Sequence, residues 1–225
     1  MKLSIIIPAF NEGNTISATL DALQTFRRAG HELILVDGGS TDNTVALSQS
    51  HVDKMIQSDK GRARQMNAGA YEAEGDILLF LHADTVLPEN VESVIIKSLS
   101  FSKYVWGRFN IKLSGRNFAF RVIELLMNKR SCLTGIATGD QAIFIEKNMF
   151  LEIKGFPEIP LMEDIEICKK LKQYSKPACI KDRVISSSRR WEENGILRTV
   201  LLMWSIRLAW FFGVSAERLK KIYYA

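Results

Sequence analysis

Ile77-Leu78-Leu79-Phe80-Leu81-His82-Ala83-Asp84-Thr85 is the stretch whose reading decides the fold. Its opening apolar run has no polar alternation, which predicts a short strand buried on both faces of a helix-covered sheet. His82 and Asp84 then fall at the strand's carboxyl end, the edge at which open α/β sheets bind ligands. Two positions apart on extended backbone, their side chains are expected to share a side and converge on one metal ion or phosphate.

Working outward, the same pattern recurs. Residues 3–7 form a β-branched run closed by Pro8, which removes a ladder donor. Ile16, Leu20, Leu23 and Phe26 then fall at helical spacing, with Asn14 as the expected cap and Gly30 as the stop. A second buried strand at 32–36 ends in Asp37-Gly38-Gly39-Ser40-Thr41-Asp42, where the glycines let the backbone turn beside a ligand and Thr41 or Asp42 can cap a helix through Leu47. A short strand at 54–56 precedes an Ala-rich helix at 60–70. Arg62 and Arg64 sit in its first turn, where positive charge opposes the helix dipole, so anion binding is the better reason for them, with Arg62 favoured for phosphate. Pro88-Glu89 opens a helix through Ser98. This alternation predicts an α/β fold with a doubly wound, Rossmann-like, mostly parallel sheet through about residue 100.

Beyond it the pattern changes. Val105, Gly107, Phe109, Ile111 and Leu113 alternate as in a half-exposed antiparallel strand, and a helix at 117–128 follows. Next come a strand at 141–145, a short helix at 147–151 and a helix at 165–174 that opens on Glu163 and Asp164, where the dipole favours acids. Short strands near Ala178 and Val184 lead to Ser186-Ser187-Ser188-Arg189-Arg190-Trp191, and a long helix from Ile196 closes the chain. A smaller antiparallel part is therefore expected in the second half.

The 225 residues are 47% hydrophobic and 24% charged, enough for one sizeable core. A net charge of +5 suits an anionic small molecule or a membrane surface, and no basic block is long enough to argue for nucleic acid. The three cysteines, Cys132, Cys168 and Cys179, share no metal-ligand spacing and read as reduced thiols of a cytoplasmic protein. The first apolar run is too short for a signal peptide, and Arg198 and Arg207 interrupt the apolar stretch at 196–214, so no transmembrane helix is expected. Trp204, Trp210, Phe211 and Phe212 read first as core, or with Arg198 and Arg207 as a patch resting on a membrane's inner face.

Three acidic positions stand out: Asp37 and Asp84 after buried strands and Asp164 at a helix start. With Arg62, Arg64, Arg189 and Arg190 on the same rim they would suit a nucleoside diphosphate held through a divalent cation. Each has a simpler alternative. Asp37 can cap its own turn, His82 can be a buried and satisfied histidine, and Glu163 and Asp164 can be helix-start charges. Asp140, after Gly139, is a weaker candidate for the acceptor side.

Together, the segments Ser4 to Glu12, Leu35 to Asp42, Leu81 to Asp84, Met162-Glu163-Asp164 and Arg189-Arg190-Trp191 resemble glycosyltransferase family 2 and its GT-A fold, most of all short single-domain bacterial members with the same Arg-Arg-Trp ending. The resemblance implies one domain over 1–225, with a nucleotide-sugar half at 1–100, an acceptor-side half at 101–191 and C-terminal helices at 192–225. It implies that Pro8, Phe10 and Glu12 embrace the nucleotide, that Asp37 with Gly38 meets its base, and that Asp84 is the last aspartate of an Asp-x-Asp metal motif whose first position is His82. It further implies that Asp164, beside Glu163, is the catalytic base, and that Arg189, Arg190 and Trp191 contact diphosphate or acceptor. The implied activity is a hexosyltransferase-type, inverting transfer of one sugar from a nucleoside diphosphate sugar, expected to be UDP-linked, with Mg2+ or Mn2+. The acceptor could be a lipid, a glycan or a small molecule. The competing classes are a sugar-phosphate nucleotidylyltransferase and a non-catalytic nucleotide-binding module. The loop Pro8-Ala9-Phe10-Asn11-Glu12 lacks the Gly-rich basic character of the former.

Overall fold

The computed structural model describes residues 1–100 and 103–224; the expected start of the acceptor-side half at 101 falls outside them. Buried apolar runs become β1 (Leu3–Ala9), β2 (Glu32–Asp37) and β4 (Ile77–Phe80), with β3 (Lys54–Gln57) outside them. Between these strands lie α1 (Ile16–Arg28), α2 (Thr44–Ser48) and α3 (Arg62–Glu72). β1 pairs in parallel with β2 and β4, and β2 with β3, so these strands end at one edge. Residue alternation in β1 sorts the core. Leu3, Ile5 and Ile7 cluster with Ile16, Leu20 and Leu23 of α1, whereas Ile6 clusters with Met66 and Ala70 of α3 on the opposite face. α3 lies unusually close: a Cβ on Gly69 would come within 2.6 Å of Ile6 Cγ2 and 2.9 Å of Val36 Cγ2.

The second half completes the sheet. It contains β5 (Thr85–Val86), α4 (Val91–Ser100), β6 (Trp106–Leu113), α5 (Phe118–Thr134), β7 (Phe144–Glu146) and α6 (Lys147–Glu152). α7 (Glu163–Leu171), β8 (Ala178–Ser186), α8 (Arg189–Asn194), α9 (Ile196–Phe211) and α10 (Ala216–Tyr223) follow. The strand order is β3-β2-β1-β4-β7-β6-β8-β5. β7 runs antiparallel to β4 and β6, and β5 antiparallel to β8, while β6 and β8 are parallel. The result is the expected mixed, mostly parallel sheet flanked by helices.

Several elements differ from the sequence expectation. β1 continues through Pro8 to Ala9, because at the strand's end the missing N–H breaks little of the ladder. β6 is largely buried rather than half exposed, since α5 covers it: Asn128 Oδ1 accepts from Ile111 N–H at 2.8 Å, and Glu124 Oε1 from Leu113 N–H at 2.7 Å. The expected pair of strands near Ala178 and Val184 is one strand. Ile180 pairs with Phe109 and Arg183 with Asn110, so Lys181 and Asp182 bulge out. The final helix is broken by Gly213 (φ 83) into α9 and α10. The cysteines do not all remain thiols: Cys132 on α5 and Cys179 on β8 are disulfide-bonded, with Cα atoms 5.8 Å apart, and Cys168 is free and buried. Their 47-residue separation closes because α5 lies along the β6–β8 pair, which linear spacing does not show.

Candidate active site

One rim of the sheet is made by the ends of β1, β2 and β4. Asp37 is buried and accepts from the backbone N–H of Gly39 (3.0 Å) and of Ser40 (3.0 Å to Oδ2), so it does cap its own turn. Gly38 N–H donates to the Ala9 carbonyl at 2.9 Å, and Gln65 Nε2 donates to both Ala9 O (2.7 Å) and Val36 O (2.9 Å). The loop after β1 is tied to the loop after β2: Asn11 Oδ1 accepts from Thr41 N–H at 2.9 Å, and Asp42 Oδ2 from Gly13 N–H at 2.9 Å. Glu12 takes the Thr15 hydroxyl at 2.8 Å, and Phe10 lies 3.5 Å beneath Lys60 Nζ, a cation that sequence spacing did not single out.

After β4 the chain turns at once. Thr85 N–H donates to the His82 carbonyl at 3.1 Å, so residues 82–85 are a tight turn and the extended-backbone geometry expected for His82 and Asp84 is absent. The two side chains diverge in role. His82 lines a narrow pocket with Pro8, Arg62, Gly139, Glu163 and Asp164, and Asp84 lies outside that lining with its Oδ1 3.5 Å from Thr85 Oγ1. The His82 ring presses on Gly139: a Cβ there would stand 2.6 Å from Nε2. That nitrogen is sealed from water with no hydrogen-bond partner among the described residues. Burial, then the Arg62 charge, holds the imidazole well below its ordinary pKa, so it is neutral near pH 7.

Glu163 and Asp164 begin α7 behind Met162, whose left-handed backbone (φ 74) is costly for a non-glycine residue. Packing fixes it, since Met162 and Ile165 are buried with Ile206 and Leu219. The turn aims the pair across the pocket at Arg62. Glu163 is 6% exposed, and burial, then the neighbouring Asp164, raises its pKa to about 7 against the pull of Arg62. For Arg62, burial would lower the pKa, but Glu163 first among its neighbours raises it, so its charge is secure. Asp140, in a single 3-10 turn (Gly139–Gln141), accepts from the Thr138 hydroxyl. Burial and then Asp164 raise its pKa, while Thr138, Arg207 and Arg130 lower it. The structure therefore gathers Pro8, Arg62, His82, Glu163 and Asp164 with Asp140 nearby.

The Arg-Arg-Trp element divides. Arg189 is exposed, and Trp191 packs with Phe120 and Leu113. Arg190 lies 3.7 Å from the Tyr223 ring, with Nη2 donating to the Tyr223 carbonyl at 3.2 Å, and this clasps α10 to α8. Among the described residues no three His, Cys, Asp or Glu side chains gather into a ready metal centre. Asp84 supplies one hard oxygen donor, which fits a cation completed by the oxygens of a bound diphosphate rather than one caged by protein. Arg130 and Arg207, two further arginines near Asp140 and Asp164, were not legible as site residues.

The family model described as Glycosyl transferase family 2 matches residues 4–151. The chain belongs to glycosyltransferase family 2. Among known proteins it is 28% identical over 183 residues to an uncharacterized glycosyltransferase of Haemophilus influenzae, covering 76% of this chain and 62% of that protein. It is 31% identical over 164 residues to a PGL/p-HBAD biosynthesis glycosyltransferase of Mycobacterium bovis, covering 65% and 60%. The chain thus spans less than two thirds of these relatives. Among solved structures it is similar to S. aureus TarS 1-349 in complex with UDP-GlcNAc (TM-score 0.67, 19% identity, 83% of this chain and 58% of that one). It is also similar to a Pyrobaculum calidifontis mannosyltransferase in complex with GDP-Man and Mn2+ (TM-score 0.65, 18% identity, 82% and 56%). These likenesses show the GT-A fold.

Proposed function

We propose that this family 2 member is a hexosyltransferase-type enzyme that moves one sugar from a nucleoside diphosphate sugar, UDP-linked, to an acceptor hydroxyl with inversion. The observation that carries this is the meeting of Asp164 and Glu163, from the second half, with Arg62 and His82, from the donor-side rim, in one pocket. Asp164 takes the acceptor proton, and the hydroxyl oxygen then attacks the anomeric carbon as the bond to diphosphate breaks on the far side. Glu163, its pKa raised to about 7, is only partly ionised near neutrality, which spares the pair a second full negative charge. Arg62 offsets charge on the departing diphosphate.

Pro8, Phe10, Glu12, Asp37 and Gly38 form the surface for the nucleotide, and Asp140 with the Arg189 to Trp191 segment borders the acceptor side. Asp84 would hold a divalent cation, magnesium or manganese, whose chemistry when bound is to neutralise diphosphate charge. In this reading residues 1–100 serve the donor, 101–191 the acceptor, and the helices in 192–225 rest peripherally on the inner face of a membrane. Exposed Trp204, Phe211 and Phe212 support that contact, and no described helix is long and apolar enough to cross a membrane. Titration of the full chain with UDP, GDP and other nucleoside diphosphates, with and without manganese or magnesium, tests the proposal. Metal-dependent binding weakened by Asp84→Ala is the expected result, and no nucleotide binding under any metal condition ends it.

A further inference from the structure

Near Asp140 and Asp164 stand arginines that make no ion pair among the described residues. Arg108 on β6 is 1% exposed; Nη2 donates to the Asn128 carbonyl at 2.9 Å, Nη1 donates to Asn110 Oδ1, and Nε has no partner. The Asn128 contact ties Arg108 to the turn of α5 that carries half-buried Arg130 two residues on. Arg207, also half-buried, comes from α9 directly after Ile206, which is buried with the residues flanking Glu163 and Asp164. α9 starts against α5, since Phe120, Ile123 and Met127 of α5 share a cluster with Ile196, and Arg207 is near enough to Arg130 for the two charges to repel.

Among the described residues none of these three arginines makes an ion pair. Arg121, on the same helix, shows what a neutralised neighbour looks like: it meets Glu124 at 2.9 Å. Burial, then Arg207, pushes Arg130 down to about 10, and burial, then Arg130, does the same to Arg108. Cations withdrawn from water beside other cations are costly unless an anion completes them. Asp140 and Asp164 are near enough to ease Arg130 but form no ion pair with it.

Resting on the glycosyl-transfer reading of the Asp164 pocket, we infer that the acceptor carries a phosphate group, held by Arg130 and Arg207 with Arg108 behind them, which places its hydroxyl at Asp164. Phosphate matches this set better than a carboxylate does, because its charge and tetrahedral oxygens can engage more than one guanidinium fork. The phosphate belongs either to a soluble phosphorylated molecule or to a lipid headgroup. The second source is compatible with the outward side of α9, where Leu197, Leu201, Trp204, Leu208 and Phe211 form one exposed stripe.

The test uses the full chain and the double variant Arg130→Gln/Arg207→Gln, with inorganic phosphate titrated by calorimetry while UDP and magnesium occupy the donor site. Phosphate affinity is expected to fall about tenfold or more in the double variant with UDP affinity unchanged. Arg130→Lys/Arg207→Lys, which keeps both charges but neither fork, is expected to bind phosphate with an affinity between those of wild type and the Gln variant, and unchanged UDP affinity in both variants guards against a folding defect. Equal phosphate affinity in wild type and the Gln variant, no phosphate binding to wild type at millimolar concentrations, or loss of UDP together with phosphate overturns the inference. If UDP fails to bind wild type, the donor reading falls by itself, and the phosphate titration without UDP still decides for or against the arginines. Sedimentation with phosphatidylglycerol vesicles and not with phosphatidylcholine vesicles, lost in the Gln variant, supports the inference with a lipid source. Phosphate binding without vesicle retention supports it with a soluble source.

Discussion

The two sides of the pocket treat their polar groups in opposite ways. On the β1–β4 side, buried Glu32 accepts from Ser4 Oγ at 2.5 Å and from Glu74 N–H at 2.9 Å, and meets Lys54 at 3.0 Å. The loops above it are stitched through Asn11, Ser40, Asp42 and Thr44. On the α5–α9 side, among the described residues, Arg108, Arg130 and Arg207 make no ion pair and His82 Nε2 has no hydrogen-bond partner. The first side has its buried polar groups paired within the fold; the second holds hydrogen-bonding and charge capacity that the described residues leave unmet. Substitutions on the first side should therefore cost stability, and those at the junction and on the second should cost function.

Asp164→Asn tests this most severely. Transfer is expected to fall about 10²- to 10⁴-fold, with nucleotide affinity and melting temperature nearly unchanged; unchanged turnover would remove Asp164 from the mechanism. Gly69→Val should instead cost stability, about 3 kcal/mol or more in denaturant unfolding, because its Cβ alone would come 2.6 Å from Ile6. A cost below about 1 kcal/mol would mean that α3 can lift off the sheet freely.

Glu163 lies between these extremes. Its folded pKa, near 7, exceeds the ordinary 4.5, so the native state binds the extra proton and stability declines as pH rises from about 4.5 through about 7, by at most roughly 3 kcal/mol. Glu163→Gln should flatten this slope when unfolding free energies at about pH 5 and about pH 8 are compared. Parallel slopes in the variant and wild type would contradict burial as the cause. The smallest effect is expected for Arg108→Met, a change within about 1 kcal/mol of zero in the same unfolding experiment, since an unpaired buried charge gives little stability. A loss above about 2 kcal/mol would show that its bonds to Asn110 and Asn128 satisfy it, and would blur the contrast.

The first half was legible because its strands advertise themselves. Residues 3–7, 32–36 and 77–80 are unbroken apolar runs, and a strand covered on both faces leaves no other solution. Asp37, Arg62 and Asp164 could be picked out because each stands where such a run or a helix begins or ends. The α5 side hid for a physical reason: α5 continues through Asn128-Lys129-Arg130 to Thr134, where Gly135 ends it at φ 66, although that polar trio looks like a solvated helix end. Arg108 and Asn110 likewise made β6 look half exposed, because the side chains of α5 that bury and bond it are distant in sequence. A disulfide and a charge row, both products of where α5 lies, escaped for the same reason.

Gly69 also acts at a distance. It seats α3 against Ile6 and Val36, and Arg62 opens the same rigid helix seven residues earlier, about 10 Å along its axis. The seat is thus the fulcrum of a lever whose far end is the guanidinium over the pocket. One absent carbon works as a shim: thicken it, and the helix tilts as a body, swinging Arg62 by an amplified amount while every residue of the pocket keeps its chemical identity.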